Sequence, residues 1–326
     1  MNFGRTIIFS ILFALVVGVY GYQQHLQKQA LVNVPDEVNR KVFFEKSNKI
    51  RQIEILDHVK NSRIVLRNND GKWSLESPVR YPADFNIVEG LAMTARWFGK
   101  QPRLRAEKDW EEYGLAKPEV EMMYEVTGKK AEKLLIGAKS PIGDAVFCKW
   151  DSERGYFLIP SAAKAALLQS VYSLREKRVF RLPEEAYGKV SVEMGKHSYQ
   201  WKRDQGDWFW LEPVSKFGKK IPIERMRLIL NALQNLYIKE YLDENKKSKA
   251  ELGFFIIHDR IRIEAGPGVS EVFHFGNEVP EKNAYYGFRE GEDVVFLIDR
   301  EKVFEFLDLL EAIEKGKIFS VEKVAS

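Results

Sequence analysis

Apolar positions along this chain fall into three kinds of run. The first, Thr6–Tyr22 (TIIFSILFALVVGVYGY), carries no charge and is apolar almost throughout. Its 17 residues extend roughly 25 Å as a helix, the short end of a membrane span. Arg5 and the α-amino group precede it, and Tyr20 and Tyr22 stand at its far end. Residues 1–22 therefore read as a single N-terminal transmembrane anchor, N-terminus in the cytoplasm and everything after Gln23 exported. A signal peptide cleaved near Val19-Tyr20-Gly21 is the alternative, although Ala-x-Ala is absent. Residues 23–48 are polar around Pro35-Asp36-Glu37 and read as a spacer.

The second kind of run alternates with period two, as strands do. Ile53 and Ile55, then Ile64-Val65-Leu66, then Trp73 and Leu75 predict a strand and a hairpin, with Asn69-Asp70-Gly71 as the turn. Val120, Met122, Tyr124 and Val126 alternate further on, as do Val190 with Val192 and Ile261 with Ile263. The third kind has helical spacing. Asp84 as N-cap leads into Val88, Leu91, Ala92 and Ala95. Met226, Ile229, Leu230, Leu233, Leu236 and Tyr237 form a second stripe, and Val303, Phe306, Leu307, Leu310 and Ile313 a third.

These elements recur. Leu134-Leu135-Ile136-Gly137 returns as Phe273-His274-Phe275-Gly276, a shift of 139. The same shift carries Gly114 to Gly253, Pro141 to Pro280, Ala145 to Ala284 and Phe157-Leu158-Ile159 to Phe296-Leu297-Ile298. It also carries Val179-Phe180 to Ile318-Phe319. Upstream, Gly71, Trp73 and Pro78 match Gly206, Trp208 and Pro213 at a shift of 135, with an insertion near Phe217-Gly218-Lys219-Lys220. Such self-similarity predicts a tandem duplication. The expected fold class is α+β: two β-ββ-α-ββββ-α domains with mainly antiparallel sheets, behind one N-terminal transmembrane helix. The first repeat spans 49–180, a hinge containing Pro183 spans 181–187, the second repeat 188–320 and a tail 321–326.

Composition changes this picture little. The net charge of +4 is spread over interleaved Lys, Arg, Asp and Glu, without the clustered basic face that nucleic acid requires. Lysine groups at 216, 219 and 220, and at 246, 247 and 249, read as solvated loops. The one cysteine, Cys148, falls in a strand and reads as a small buried thiol. No phosphate loop, His-Glu-x-x-His or Gly-x-Ser-x-Gly is present, and nothing implies a cofactor. Of five histidines, only His258 and His274 could approach one another, and a zinc site would still need a further ligand such as Asp259. Asp109, Glu111 and Glu112, with Asp243 and Glu244 in the second copy, are the carboxylates a glycosidase would draw on. Trp201, Trp208, Phe209 and Trp210 crowd one hairpin, where adjacent residues must face opposite ways. Burial of the tryptophans is the expectation, and an outward Phe209 would offer a platform to a partner or a glycan.

The motifs also have an order. After the anchor come Gly71-x-Trp73-x-Leu75-x-x-Pro78, Ala83-Asp84, Tyr113-Gly114-Leu115 with Pro118, Leu135-Ile136-Gly137 with Pro141-x-Gly143, and Arg175-Glu176-Lys177. This resembles a bacterial domain-of-unknown-function family of membrane-anchored proteins encoded beside gliding-motility-type ABC transporter subunits. The resemblance covers almost all of the chain after residue 45. The second copy departs from it at Trp210, at Leu252-Gly253-Phe254 and at Gly316. If the closing Arg-Glu-Lys motif binds a partner, only the first copy carries it, through Arg175 and Lys177. The resemblance implies an accessory role next to a transporter and supplies no catalytic residue.

The leading expectation is thus a non-enzymatic scaffold on the outer side of the bacterial inner membrane, with ABC transporter permease or ATPase subunits, or another envelope protein, as partner. A periplasmic module for an envelope glycan is the alternative, and an envelope hydrolase the third. Candidate surface residues are Trp201, Phe209, Arg175 and Lys177.

Overall fold

A two-residue turn sets the register of each opening hairpin. Asp70 and Gly71 both take positive φ, 52° and 87°, and Gln205 and Gly206 repeat this at 46° and 91°. Positive φ at both central residues is the type I′ geometry, whose twist matches that of the flanking strands. The computed structural model describes residues 49–317 except 100, 102, 107–108, 246 and 255–258. The expected transmembrane helix Thr6–Tyr22, the spacer 23–48 and the tail 321–326 lie outside these residues.

The chain divides between Glu176 and Lys177 into two compact units. The first contains β1 (Ile50–Asp57), β2 (Ser62–Asn69), β3 (Lys72–Ser77), β4 (Tyr81–Pro82), α1 (Phe85–Gly99) and β5 (Leu104–Arg105). It continues with β6 (Val120–Val126), β7 (Glu132–Lys139), β8 (Ala145–Trp150), β9 (Gly155–Pro160), α2 (Ser161–Leu167) and α3 (Val171–Leu174). The second contains β10 (Lys189–Met194), β11 (His197–Asp204), β12 (Asp207–Glu212), β13 (Lys220–Ile221), α4 (Ile223–Gln234) and β14 (Ile238–Tyr241). After these come β15 (Arg260–Glu264), β16 (Ser270–Val279), β17 (Ala284–Arg289), β18 (Val295–Asp299) and α5 (Arg300–Glu314).

The two sheets run β4-β3-β2-β1-β6-β7-β8-β9-β5 and β13-β12-β11-β10-β15-β16-β17-β18-β14. Each strand of the first is replaced by its counterpart nine places later. A duplicated α+β domain with antiparallel sheets is what the residues encode. In each unit a meander runs to one edge, a helix carries the chain to the other, and a second meander starts beside the first strand.

The short edge strands β4, β5, β13 and β14 were not legible as runs. The closing helix also differs between units. In the second it is continuous, capped by Asp299. In the first it is split, because the Ser170 hydroxyl accepts from Ser173 N and starts a new turn. The expected cap at α1 is present, with Asn86 N and Ile87 N donating to Asp84 Oδ1 at 3.0 and 3.2 Å.

Helices cover one face of each sheet. Val88, Leu91, Ala92, Ala95 and Phe98 of α1 pack with Ile53, Ile55, Tyr124, Ile136 and buried Cys148, whose thiol burial pushes up. Met226, Ile229 and Leu233 of α4 and Phe306, Leu310 and Ile313 of α5 pack with Val190, Trp201, Ile261 and Phe273. Val179 and Phe180, placed by sequence in the first repeat, sit in this second core. Burying such residues contributes on the order of 2 kcal/mol each.

The opposite face carries cross-strand ion pairs, Glu54–Arg63 at 2.7 Å and Glu121–Lys133 at 2.9 Å in the first unit, and Glu193–Arg260 at 3.0 Å in the second. It also carries a loop that explains two recurring glycines. Tyr113 lies edge-on to Phe147 (ring centroids 5.0 Å apart) and 4.8 Å from Tyr156, while Ala138 N donates to Tyr113 O at 3.0 Å. A Cβ on Gly114 would stand 2.6 Å from Ala138 N, and one on Gly137 2.9 Å from Gly114 O. In the second unit Asn277 N donates to Leu252 O at 2.8 Å, and a Cβ on Gly253 would stand 2.6 Å from Asn277 N. The Tyr-Gly-Leu and Ile-Gly motifs are two halves of one backbone contact.

Gly137→Ala and Gly276→Ala should therefore each cost about 2–4 kcal/mol in urea denaturation, because the nearest opposing atom in each is a main-chain carbonyl oxygen. Gly90→Ala, in α1 with open space around it, should be neutral or stabilising by about 1 kcal/mol. Equal effects at all three would sink the close-contact explanation.

Candidate functional site

Trp201, Trp208 and Trp210 are all buried, Trp201 completely. Trp201 pairs with Trp210 across β11 and β12, their ring centroids 5.2 Å apart, and Tyr199 stacks on Trp201 at 5.8 Å. Trp201 is therefore core and offers nothing to a partner, which corrects its place among the surface candidates. Phe209 faces the other way, half-buried, with Lys202 and Lys220 opposite it on the neighbouring strands.

Arg175 is likewise buried, its guanidinium 4.4 Å from the centre of the Tyr81 ring. The closing motif zips the end of the first unit onto the entry to α1: Ala83 bridges Arg175, Glu176 N donates to Pro82 O at 2.9 Å, and Asp84 N to Leu174 O at 2.8 Å. Arg175 thus acts in the packing of its own unit. Lys177 is half-buried in the second unit, where its carbonyl accepts from Ile238 N at 2.8 Å. The structure does not bring Arg175, Lys177, Trp201 and Phe209 together as one site.

It does place a groove at the same position in each unit, beside the first hairpin and the proline after it. The first, about 440 Å³, is lined by Asp57, Asn61, Ser62, Arg63, Pro78 and Leu168 to Val171. The second, about 430 Å³, is lined by Lys196, His197, Ser198, Tyr199, Pro213, Val214, Glu311, Glu314 and Lys315. Asn61 to Ile64 and Pro78 correspond to Lys196 to Tyr199 and Pro213 at the shift of 135, and both prolines follow a cis peptide bond. These volumes fall at the small end of ligand-site dimensions.

Chemically the two grooves have diverged. In the first, Asp57 Oδ1 accepts from Val59 N and Lys60 N and so holds its own turn. In the second, the Tyr199 hydroxyl donates to Glu314 Oε2 at 3.1 Å, Glu311 pairs with Lys315 and Ser198 donates to Glu212. Burial first, and Glu314 second, push the Tyr199 phenol above its usual range. Sequence reasoning missed this pair, since Tyr199 and Glu314 are 115 positions apart and read only as parts of a strand and a helix.

Of the expected acids, Asp243 and Glu244 line a third groove of about 530 Å³ with Tyr241, Asn245, Lys247 and Tyr286. Glu132 is raised by burial and by Asp151 beside it, yet neither acid lines these grooves. His274 stacks on Phe288 at 4.7 Å, and burial lowers its pKa against the opposing pull of Glu290. His258, its expected zinc partner, lies outside the described residues. Among the described residues no group of three or more His, Cys, Asp or Glu is placed to hold a metal, and no helix is long and apolar enough to cross a membrane.

Two titrations follow. The unfolded chain ionises tyrosine near about 10, whereas folded Tyr199 holds its proton to higher pH. Stability should fall as pH rises past that value, and Tyr199→Phe should make the alkaline fall shallower while costing about 1–3 kcal/mol at neutral pH. For His274 the folded pKa is the lower one, so stability should fall as pH drops below about 6.5. In His274→Gln the acid-side slope of thermal unfolding should flatten. Unchanged slopes would refute either assignment.

No curated protein and no solved structure matches the chain. The sequence pattern of a domain of unknown function, DUF4340, matches residues 73–254, from β3 of the first unit to the loop on the second sheet's polar face. That is more than half of the sequence, and the chain belongs to the DUF4340 family.

Proposed function

We propose that this protein is a non-enzymatic, membrane-anchored scaffold on the extracytoplasmic side of the bacterial inner membrane, working as an accessory component of an ABC-type transporter complex. The observation that carries the reading is how the motifs behind the family resemblance are used. Asp70-Gly71, Gly114, Gly137 and Arg175 build turns, a backbone contact and a buried closure. Motif residues used for architecture suit a protein whose product is a shaped surface. The uncharged run Thr6–Tyr22 behind Arg5 supplies the anchor and its orientation. Permease or ATPase subunits are the partners to which the family resemblance points.

A glycan module gains nothing from the buried Trp201, Trp208 and Trp210 and would rest on half-buried Phe209. A hydrolase requires two acids converging in a cleft with one free to give a proton, whereas in the second groove Glu311 is paired with Lys315 and Glu314 accepts from Tyr199.

Cross-linking of the tagged full-length protein in native membranes, followed by mass spectrometry, tests the proposal. Transporter subunits should be recovered with cross-links to lysines between residues 49 and 317. Recovery of the protein alone, or with envelope polysaccharide only, would overturn it.

A further inference from the structure

The insertion that separates the two repeat registers builds an outward-facing loop. Three residues join β3 to β4 in the first unit, whereas seven, Pro213 to Lys219, join β12 to β13 in the second. In the first unit Val79 packs against the core. In the second, Val214 is 86% exposed and Phe217 66%.

This exposure does not come from a loosely held segment. Lys216 N donates to Pro213 O at 2.9 Å, Phe217 N to Val214 O at 3.1 Å and Lys219 N to Lys216 O at 3.0 Å. Gly218 N and Trp210 O (2.9 Å), and Trp210 N and Lys219 O (3.0 Å), tie the loop to β12. Beneath it Trp210 and Ile221 are buried. The fold therefore spends a row of backbone hydrogen bonds on holding two apolar side chains in water.

The loop's own charged side chains are basic, while Glu212, Glu311 and Glu314 line the groove on the Val214 side. Lys216 and Lys219 lie in the loop, and Lys220 follows it, paired with Asp207 at 2.7 Å. On the adjoining sheet face Lys202, Phe209 and Lys220 stand opposite one another on three neighbouring strands. Phe217, exposed between Lys216 and Lys219, matches a surface whose charge is negative outside and whose interior is apolar and deformable.

We propose that the loop Pro213–Lys219 docks on an anionic lipid bilayer, with Val214 and Phe217 entering the acyl boundary and Lys202, Lys216, Lys219 and Lys220 meeting the headgroup phosphates. A convex valine finds no such fit on a flat protein face without a matching pocket, and it adds nothing to sugar stacking. The proposal rests on the membrane-anchored reading, because the anchor is what brings a bilayer within reach.

The test uses full-length protein bearing Phe217→Cys labelled with an environment-sensitive fluorophore, buried Cys148 setting the background in the unsubstituted chain. The protein is placed in lipid nanodiscs of phosphatidylcholine alone or with phosphatidylglycerol. Emission should shift to the blue and resist aqueous iodide only with the anionic lipid, and a label at exposed Asn231→Cys should not respond. Failure to co-elute with nanodiscs would reject the anchor alone. The loop is then read by adding the same protein to vesicles of the two compositions. There Phe217→Ser should weaken binding to anionic vesicles roughly tenfold, and each of Lys216→Gln and Lys219→Gln roughly fivefold. A label that stays water-exposed with both lipids would overturn the loop proposal even if the anchor holds. So would a response relieved only by a co-purifying protein, which would mark the loop as a protein contact.

Discussion

The loop that covers part of the polar face of each sheet depends on one close passage of main chain past main chain. In the first unit the carbonyl of Tyr113 meets the backbone of Gly137 and Ala138, and in the second the carbonyl of Leu252 meets Gly276 and Asn277. Side chains cannot mediate an approach this close, so the glycines on both partners are required by space rather than by flexibility alone. Once seated, the loop puts Tyr113 onto Phe147 and Tyr156, and Phe254 onto Phe288. The ring identities differ between the units while the contact persists, as expected if the backbone contact fixes the geometry and the aromatics fill what remains.

The same division holds across the molecule. Elements that bury apolar area or force a turn are nearly identical in the two units, down to the order of strands in the sheets. Elements at the rim have separated. The closing helix is broken in one unit and continuous in the other. One groove is lined by Asp57, Asn61, Ser62 and Arg63, the other by a hydrogen-bonded tyrosine and glutamate. Duplication has kept a framework and released its edges for different work.

Much of that framework was readable from the residues, because period-two runs, helical stripes and Asp-Gly turns are local signals. The cap at Asp84, the hairpin at Asp70-Gly71 and the buried thiol of Cys148 all rest on neighbours in sequence. The candidate surface was harder to read. Arg175 and Trp201 carry polar atoms and recurrent or clustered positions, which suggested contact with a partner, yet each is held by distant segments of its own unit. The Tyr199–Glu314 bond joins elements 115 residues apart, and no spacing rule reaches that far. Phe209 was placed by alternation alone, and its lysine neighbours became visible only with the strand register.

The segment joining the repeats was read as a hinge, but its bonds belong to the second unit. Val179 N donates to Leu236 O at 3.1 Å, and the Arg289 guanidinium holds the carbonyls of Arg178 and Val179. Arg181 pairs with Glu292 at 2.8 Å, and its amide and that of Leu182 donate to Glu271. Tension carried along the chain into this unit is therefore taken up at Val179 to Leu182, in several bonds loaded side by side, before it can reach β10. Unfolding that begins where the chain enters this unit must break these bonds before the first strand of the second repeat can come away.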